Sequence, residues 1–360
     1  MSGTKKDNLR NPFSMPMAPT EASLFPRPND LSSIYAPVRA DLDRTARLFE
    51  EALSTDNEFV LDMVRYLGET QGKRIRAAMC LLAFRACTQG KSEVETEGYR
   101  QSLVTAEAVE LIHNATLVHD DIIDSSDVRR GRKTLNYRWG NEISVLMGDY
   151  IFARVFGLLA RKVTPKVIQI LSAATDRLCE GEILEVRARF LVTQNFAEYF
   201  DIIDKKTAAL ISVACEAGAM LAGAEESLQN DLREYGRLVG VAFQVADDLL
   251  DLTAHESRLG KPNGHDIKEG KFTLPLLHAL KACSREERSE VQEVLLKQEP
   301  APHDLDFVLG FIRRHGGVEA AKAKADELVE AAKAKLTRLP ESAAKASLEG
   351  LADYIVERDF

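Results

Sequence analysis

Two apolar stretches of this chain each run straight into a tight group of aspartates, and that restricts the folds open to it. Ala115-Thr116-Leu117-Val118-His119 leads into Asp120-Asp121-Ile122-Ile123-Asp124. Val241-Ala242-Phe243-Gln244-Val245-Ala246 leads into Asp247-Asp248-Leu249-Leu250-Asp251, 127 positions further on (247 − 120). Residues i and i+4 share one face of a helix, so Asp120 projects with Asp124 and Asp247 with Asp251. Carboxylates this close repel one another, and burying them uncompensated is costly. A hard divalent cation removes that cost, and Mg²⁺ prefers a few carboxylates together with phosphate oxygens and water. Acidic residues on helices are commonly solvated surface. A duplicated pattern at the end of two apolar stretches points instead to an interior site, two faces across a cleft with metal ions and a diphosphate between them.

The rest of the chain supports a helical frame. From Ile34 onward apolar residues recur at three- and four-residue spacing, as in Val38, Leu42, Ala46, Leu48 and Phe49. Alternating strand-like runs are missing. Turn signals at Thr88–Lys91, Arg129–Arg132, Gly260–Gly264 and His315–Gly317 divide the chain into long helices. Ala106–Val118 and Leu238–Leu252 are apolar around much of their circumference, which places them inside a bundle. The expectation is an all-α fold, one large single-domain helical bundle around a central cavity lined by the carboxylates. No composition shift divides residues 31–360. Residues 1–30, rich in Pro, Ser, Asn and Met, read as a disordered or loosely docked extension. Val318–Leu336, rich in Ala, Lys and Glu, reads as a solvated amphipathic helix.

A net charge of −9 argues against general nucleic-acid affinity but leaves room for an anionic substrate at a local basic site. Cys80, Cys87, Cys179, Cys215 and Cys283 have no metal-like spacing and read as reduced small hydrophobes in a cytoplasmic protein. No apolar run reaches the ~20 residues of a membrane span, so no transmembrane segment is expected.

Basic groups answer the acids. Arg129-Arg130 follow the first aspartate group at once, close enough to grip phosphate oxygens beside a bound metal. Gly72-Lys73-Arg74-Ile75-Arg76 is a second compact basic set at an expected helix start. Lys205-Lys206-Thr207-Ala208 opens an apolar helix, and Lys261 and Lys271 bracket Gly264-His265-Asp266 after the second group. His113, seven positions before Asp120, lies on roughly the same side of its helix and reads as part of the anion site.

Taken together, these segments resemble the trans-isoprenyl diphosphate synthases, or polyprenyl synthetases, over roughly residues 40–360. In order they are Gly72–Arg76, His119–Asp124, Arg129–Gly131, Gly148-Asp149-Tyr150, Gly181-Glu182, Lys206-Thr207-Ala208, Phe243–Asp251, and Gly260-Lys261 through Lys271. The paired aspartate motifs with the intervening lysine-threonine are the specific part. The chain departs from the usual pattern at Gln71 (glycine), Ala77 (proline) and Lys133 (proline), and none of these removes a charge the chemistry needs.

The resemblance implies an isoprenoid-synthase type bundle and a head-to-tail prenyltransferase. An allylic diphosphate would bind through about three Mg²⁺ ions held by Asp120, Asp121, Asp124, Asp247, Asp248 and Asp251, which stabilise the departing diphosphate. Arg129, Lys206, Lys261 and Lys271 would add to that stabilisation. Isopentenyl diphosphate would bind through Lys73, Arg76, His113 and Arg130. Its double bond would attack the allylic cation, steadied by the Thr207 and Gln244 dipoles, and a proton would leave with the released diphosphate. Ala115 and Thr116, with Ile112 a turn below, lie where the family places a bulky aromatic to stop short products. Their small size implies an open tunnel and a medium to long all-trans product. A homodimer is the family's usual state.

Three other readings compete. A short-chain synthase making farnesyl or geranylgeranyl diphosphate would share every motif. A catalytically silent partner subunit should have lost an aspartate motif or a basic clamp, and this chain keeps both. A terpene cyclase would not need Lys73, Arg76 and Arg130. Starter, product length and pathway served (quinone, carrier lipid or carotenoid) stay open at this level.

Overall fold

The computed structural model describes residues 30–69, 72–88, 96–192, 195–253, 264–297 and 299–357. Fourteen longer helices are used here. They are α1 (Arg39–Leu53), α2 (Glu58–Gly68), α3 (Ile75–Cys87), α4 (Glu97–Ile123), α5 (Asn141–Lys162), α6 (Pro165–Ala188) and α7 (Phe196–Ile203). After them come α8 (Ala209–Leu221), α9 (Glu226–Thr253), α10 (Leu274–Ala282), α11 (Arg285–Leu295), α12 (Pro302–Arg314), α13 (Gly317–Ala334) and α14 (Ala343–Val356). Among the described residues the only strands are a two-residue hairpin, Val128–Arg129 paired with Arg132–Lys133. The all-α expectation holds.

The helix starts follow local chemistry. The Thr96 hydroxyl accepts from the Tyr99 N–H at 3.1 Å and opens α4. Asn195 with Glu198 and Ser284 with Glu287 form capping boxes at α7 and α11. Once started, α4 and α9 are buried on most sides, as their apolar circumference requires. α4 packs against α3, α5 and α8, and α9 packs against α8 and α13. The two aspartate helices therefore sit at the centre.

Small residues set how closely they approach. A Cβ on Gly236 would lie 2.7 Å from the Ile211 carbonyl oxygen, and one on Gly240 would lie 2.6 Å from the Ala208 Cα. Four residues apart, these glycines share one face of α9 and let the start of α8 lie directly on it.

Two expectations need adjustment. α5 is, by length and composition alone, long and apolar enough to cross a membrane, which corrects the expectation that no run reaches that length. In this fold it packs along α4 and buries Met147, Ile151, Val155, Leu158 and Leu159. The helix expected to be solvated, α13, buries Ala321, Ala325, Leu328, Val329 and Ala332 against its neighbours. Residues 1–29, the extension reading apart from Asp30, lie outside the described residues, as does Lys261.

Candidate active site

The C-terminal end of α4 carries the first aspartate group. Ser125 adopts φ +49°, and the chain folds into the hairpin, whose turn residues Arg130 and Gly131 have φ +52° and +76°. Two consecutive positive φ values are those of a tight two-residue hairpin turn. This turn folds the arginines back onto the motif they follow. Arg129 Nε donates to Asp121 Oδ1 at 2.6 Å, and Arg129 and Arg130 share a small cavity wall with Asp121, Asn114 and Leu117.

A central cavity of about 170 Å³ joins the two halves. α4 contributes His113, Thr116, Leu117 and Asp120; α3 contributes Arg76; α6 contributes Leu178 and Glu182; α9 contributes Phe243, Gln244 and Asp247. Lys206, Thr207 and Leu210 complete it. Lys206 and Thr207 belong to a π-helical turn, Asp204–Ala208, between α7 and α8. A Cβ on Gly181 would lie 2.5 Å from the Lys206 backbone nitrogen, so only a glycine lets α6 approach this turn.

A chain of hydrogen bonds fixes the second motif. Thr207 Oγ1 donates to Gln244 Oε1 at 2.8 Å, and Gln244 Nε2 donates to Asp248 Oδ1 at 3.0 Å. The Tyr199 hydroxyl donates to Asp248 Oδ2 at 2.6 Å. The Asp251 carboxylate accepts the backbone N–H groups of His265 and Asp266 at 3.2 and 3.1 Å. These contacts orient the carboxylates before any ligand binds.

Glu185 on α6 and Arg189 at its C-cap escaped the sequence reading, and Glu182 was quoted there without a role. Lys206 Nζ lies 2.7 Å from Glu182 Oε2 and 2.5 Å from Glu185 Oε2. Lys271 lies 2.7 Å from Glu269 and 3.6 Å from Glu185. Arg189 Nη2 donates to Asp124 Oδ1 at 2.5 Å. The spacing Glu182, Glu185, Arg189 is one helix face running past Gly181 and was the available signal.

Electrostatics follow from this enclosure. Burial, with Glu182 nearby, pushes the Asp120 carboxyl up to about 7 against Lys206 and Arg129. Burial also raises Asp248 to about 7, opposed by its bonds from Tyr199 and Gln244. Burial raises Asp251 as well, whereas at Asp124 it is outweighed by Lys271, Lys206 and Arg189, which hold that carboxyl low. His113 is held well below its ordinary value by burial and by Arg76, Arg130 and Arg129, so it is a neutral hydrogen-bonding group beside those cations.

The sequence-assigned residues divide clearly. Arg76, His113, Thr116, Asp120, Lys206, Thr207, Gln244 and Asp247 share the central cavity. Asp248, Lys206, Gln244 and Lys271 line an adjoining cavity with Glu185, Arg189 and Tyr199. Asp121, Arg129 and Arg130 lie on the hairpin side. Lys73 lines none of these cavities; it is exposed, and its Nζ donates to the Tyr354 hydroxyl. Ala115 and Ile112 are fully buried and are not among the lining residues.

The donor set suits a hard divalent cation, since it consists of carboxylate oxygens and the buried Glu182 Oε1 has no hydrogen-bond partner. Among the described residues, however, no three acidic, histidine or cysteine side chains already converge as a metal cage. Asp121 and Asp124 are held by arginines instead. That suits a metal that arrives with phosphate oxygens to complete its shell.

An all-helical cavity of this kind, acidic on two facing helices and ringed by cations over an apolar floor, defines an enzyme of isoprenoid diphosphate chemistry. The chain belongs to the polyprenyl synthetase family, whose pattern it matches over residues 57–311. It is 35% identical over 330 residues to the heptaprenyl diphosphate synthase component 2 of Geobacillus stearothermophilus, covering 92% of this chain and 99% of that one. It is 36% identical to the octaprenyl diphosphate synthase of Haemophilus influenzae, covering 89% and 94%. The crystal structure of a polyprenyl synthase from Caulobacter crescentus, complexed with calcium and isoprenyl diphosphate, superposes with a TM-score of 0.84 at 34% identity, covering 92% and 99%. This chain is a prenyltransferase that makes polyprenyl diphosphates.

Proposed function

We propose that the protein condenses isopentenyl diphosphate with an allylic diphosphate, with Mg²⁺ as its metal, and makes a medium to long all-trans product. The observation that carries this is the joining of Asp120, Asp247, Lys206, Arg76 and His113 around one apolar-floored cavity. Asp120, Asp121 and Asp124 would hold the metal ions from one side and Asp247, Asp248 and Asp251 from the other, about three ions in all. When bound, the metal supplies Lewis-acid stabilisation of the departing diphosphate. Lys206 and Lys271 add fixed positive charge on the same side. Arg76, Arg130 and His113 hold the second diphosphate, His113 as a neutral donor. The Thr207 and Gln244 oxygens face the position where the allylic cation develops, and Phe243, Leu178 and Leu210 keep water from it. Thr116, one helical turn before Asp120, lines the cavity with Leu178, Leu210 and Phe243 and brings no aromatic ring of its own, which supports a long product.

A cytoplasmic homodimer completes the proposal. All five cysteines are free, in keeping with a reducing compartment. Val145 and Leu146 of α5 and Ile183 and Val186 of α6 are exposed apolar side chains on neighbouring helices, which supports docking of a second copy. The test is product sizing after incubation with Mg²⁺, isopentenyl diphosphate and each allylic starter. Asp120→Asn and Asp247→Asn should each cut turnover at least about 100-fold. Near-normal turnover in both variants, or full activity with the metal chelated, would overturn the mechanism.

A further inference from the structure

Lys73 is an exposed side chain on the loop that opens α3, yet two tyrosines from opposite ends of the chain hold it. The Tyr35 hydroxyl donates to the Lys73 carbonyl oxygen at 2.9 Å. Lys73 Nζ donates to the Tyr354 hydroxyl at 3.0 Å and sits 5.3 Å from the centre of the Tyr354 ring. Tyr354 is 281 residues away in sequence, on the last helix.

The loop lies against the anion site. A Cβ on Gly72 would come within 2.5–2.6 Å of the Arg130 guanidinium. Arg74 takes a left-handed conformation, φ +55°, that few non-glycine residues adopt. Its guanidinium reaches inward to the Leu42 carbonyl, the Thr45 hydroxyl and the buried Glu107 carboxylate. Lys73, beside it, is exposed to solvent, while Arg76 lines the cavity.

Tyr354 stands on a fixed platform. α14 packs on α3 and α9. The fully buried Tyr235, on the helix that carries the second aspartate motif, donates from its hydroxyl to the Leu348 carbonyl at 2.6 Å. Asp353, the residue before Tyr354, pairs with Lys333 of α13 at 2.5 Å. The Tyr354 ring is itself packed against the core.

An unrestrained lysine loses rotamer freedom when it is fixed on a ligand. A hydroxyl and an aromatic face that already hold the ammonium remove part of that loss. We propose that Tyr354 is a positioning residue for substrate binding, which holds Lys73 so that its ammonium meets the diphosphate of isopentenyl diphosphate. The last helix thereby becomes part of that substrate's site, although it lies far from the aspartates in sequence. The inference rests on the reading of Lys73 as a diphosphate ligand.

The test is a double-mutant cycle on the full-length enzyme, with KM for each substrate and kcat measured separately. Lys73→Met should raise the KM for isopentenyl diphosphate about ten-fold or more. Tyr354→Phe keeps the ring, removes the hydroxyl and should raise that KM about three- to five-fold; Tyr354→Leu, which removes both, should raise it further. The KM for the allylic substrate and kcat should stay within about two-fold in both tyrosine variants. In the Lys73→Met background the tyrosine changes should add nothing to the KM, because their partner is gone. If Tyr354→Leu leaves the KM unchanged while Lys73→Met raises it, the positioning role is overturned and the reading of Lys73 stands. If Lys73→Met leaves it unchanged, that reading fails and takes the inference with it. A Tyr354 effect that persists undiminished without Lys73, accompanied by a lowered Tm, would mark a merely structural residue and also overturn it.

Discussion

Arg189 donates to Asp124 at 2.5 Å, so the last carboxylate of the first motif is already paired with a cation in the protein alone. Asp121 is paired in the same way by Arg129. The site meets its metal with its acids partly neutralised rather than as a bare cluster of like charges, which would be costly to bury.

Removal of Arg189 therefore has a metal-dependent cost. Arg189→Met should lower the stability of the metal-free protein by about 3 kcal/mol, since it strands a half-buried carboxylate. Saturating Mg²⁺ with inorganic diphosphate should restore most of that loss, because the metal replaces the missing cation. Urea unfolding with and without the ions measures both. A loss that is the same in both conditions would show that Arg189 does not compete with the metal for Asp124.

The cavity floor makes a prediction about product size. Thr116 lies one helical turn before Asp120 and lines the cavity together with Leu178 and Leu210. Thr116→Phe should fill the space between them and shorten the product by several isoprene units, with the first condensation retained. Chromatographic sizing reads the outcome. Ala115, packed with no exposed surface beside this floor, should respond to Ala115→Tyr mainly through lost stability and only secondarily through product length.

Acid–base linkage gives the metal-free protein an unusual pH profile. Burial raises Glu107, Asp120 and Asp248 each to about 7, from ordinary values of 4.5, 3.8 and 3.8. Between about pH 4.5 and 6.5 the folded chain keeps three protons on these groups that the unfolded chain has released. His113 opposes them, because it stays neutral when folded and takes one proton when unfolded below 6.5. The balance from these four groups is 1 − 3 = −2 protons, so stability should fall as pH rises from 4.5 through 7 and then level off. Thermal melts in a chelator at pH 5.5, 6.5 and 8 should show Tm dropping in that order. Mg²⁺ with diphosphate should flatten the trend by stabilising the ionised aspartates.

The glycine contact between α9 and α8 is tight enough to test. A methyl group on Gly240 would sit 2.6 Å from the Ala208 Cα, a backbone atom that cannot swing aside. Gly240→Ala should cost about 1–3 kcal/mol by overpacking. It should also move Thr207 off Gln244 and lower kcat more than it alters either KM.

The aspartate groups and the flanking arginines were legible because each lies within one helix turn or one hairpin of its partner. Burial of α4 and α9 followed from their apolar circumference. The partners that complete the site were not legible, since they come from elsewhere in the chain. Glu182 and Glu185 meet Lys206 only because Gly181 lets α6 touch the π-helical turn. Tyr199 reaches Asp248 from a separate helix, and nothing in its local sequence marks it as an orienting group. α5 shows the opposite failure. The lack of an uninterrupted apolar run of ~20 residues left it out of the membrane reading, although its length and overall composition alone would pass that test.

The π-helical turn at Asp204–Ala208 carries a consequence for how this enzyme can vary. A π turn holds one more residue than an α turn, so deleting one residue there would restore regular winding with the flanking helices still in phase. The turn would have one position fewer, so Lys206 and Thr207 could not both keep their places at Glu182 and Gln244. The extra residue widens the cavity wall by one side chain without turning the helices on either side. Loss of one residue within this segment should therefore cost the site a side chain while leaving the packing of its neighbours in place, whereas a deletion in the regular helix beyond it would turn every later side chain by about 100°.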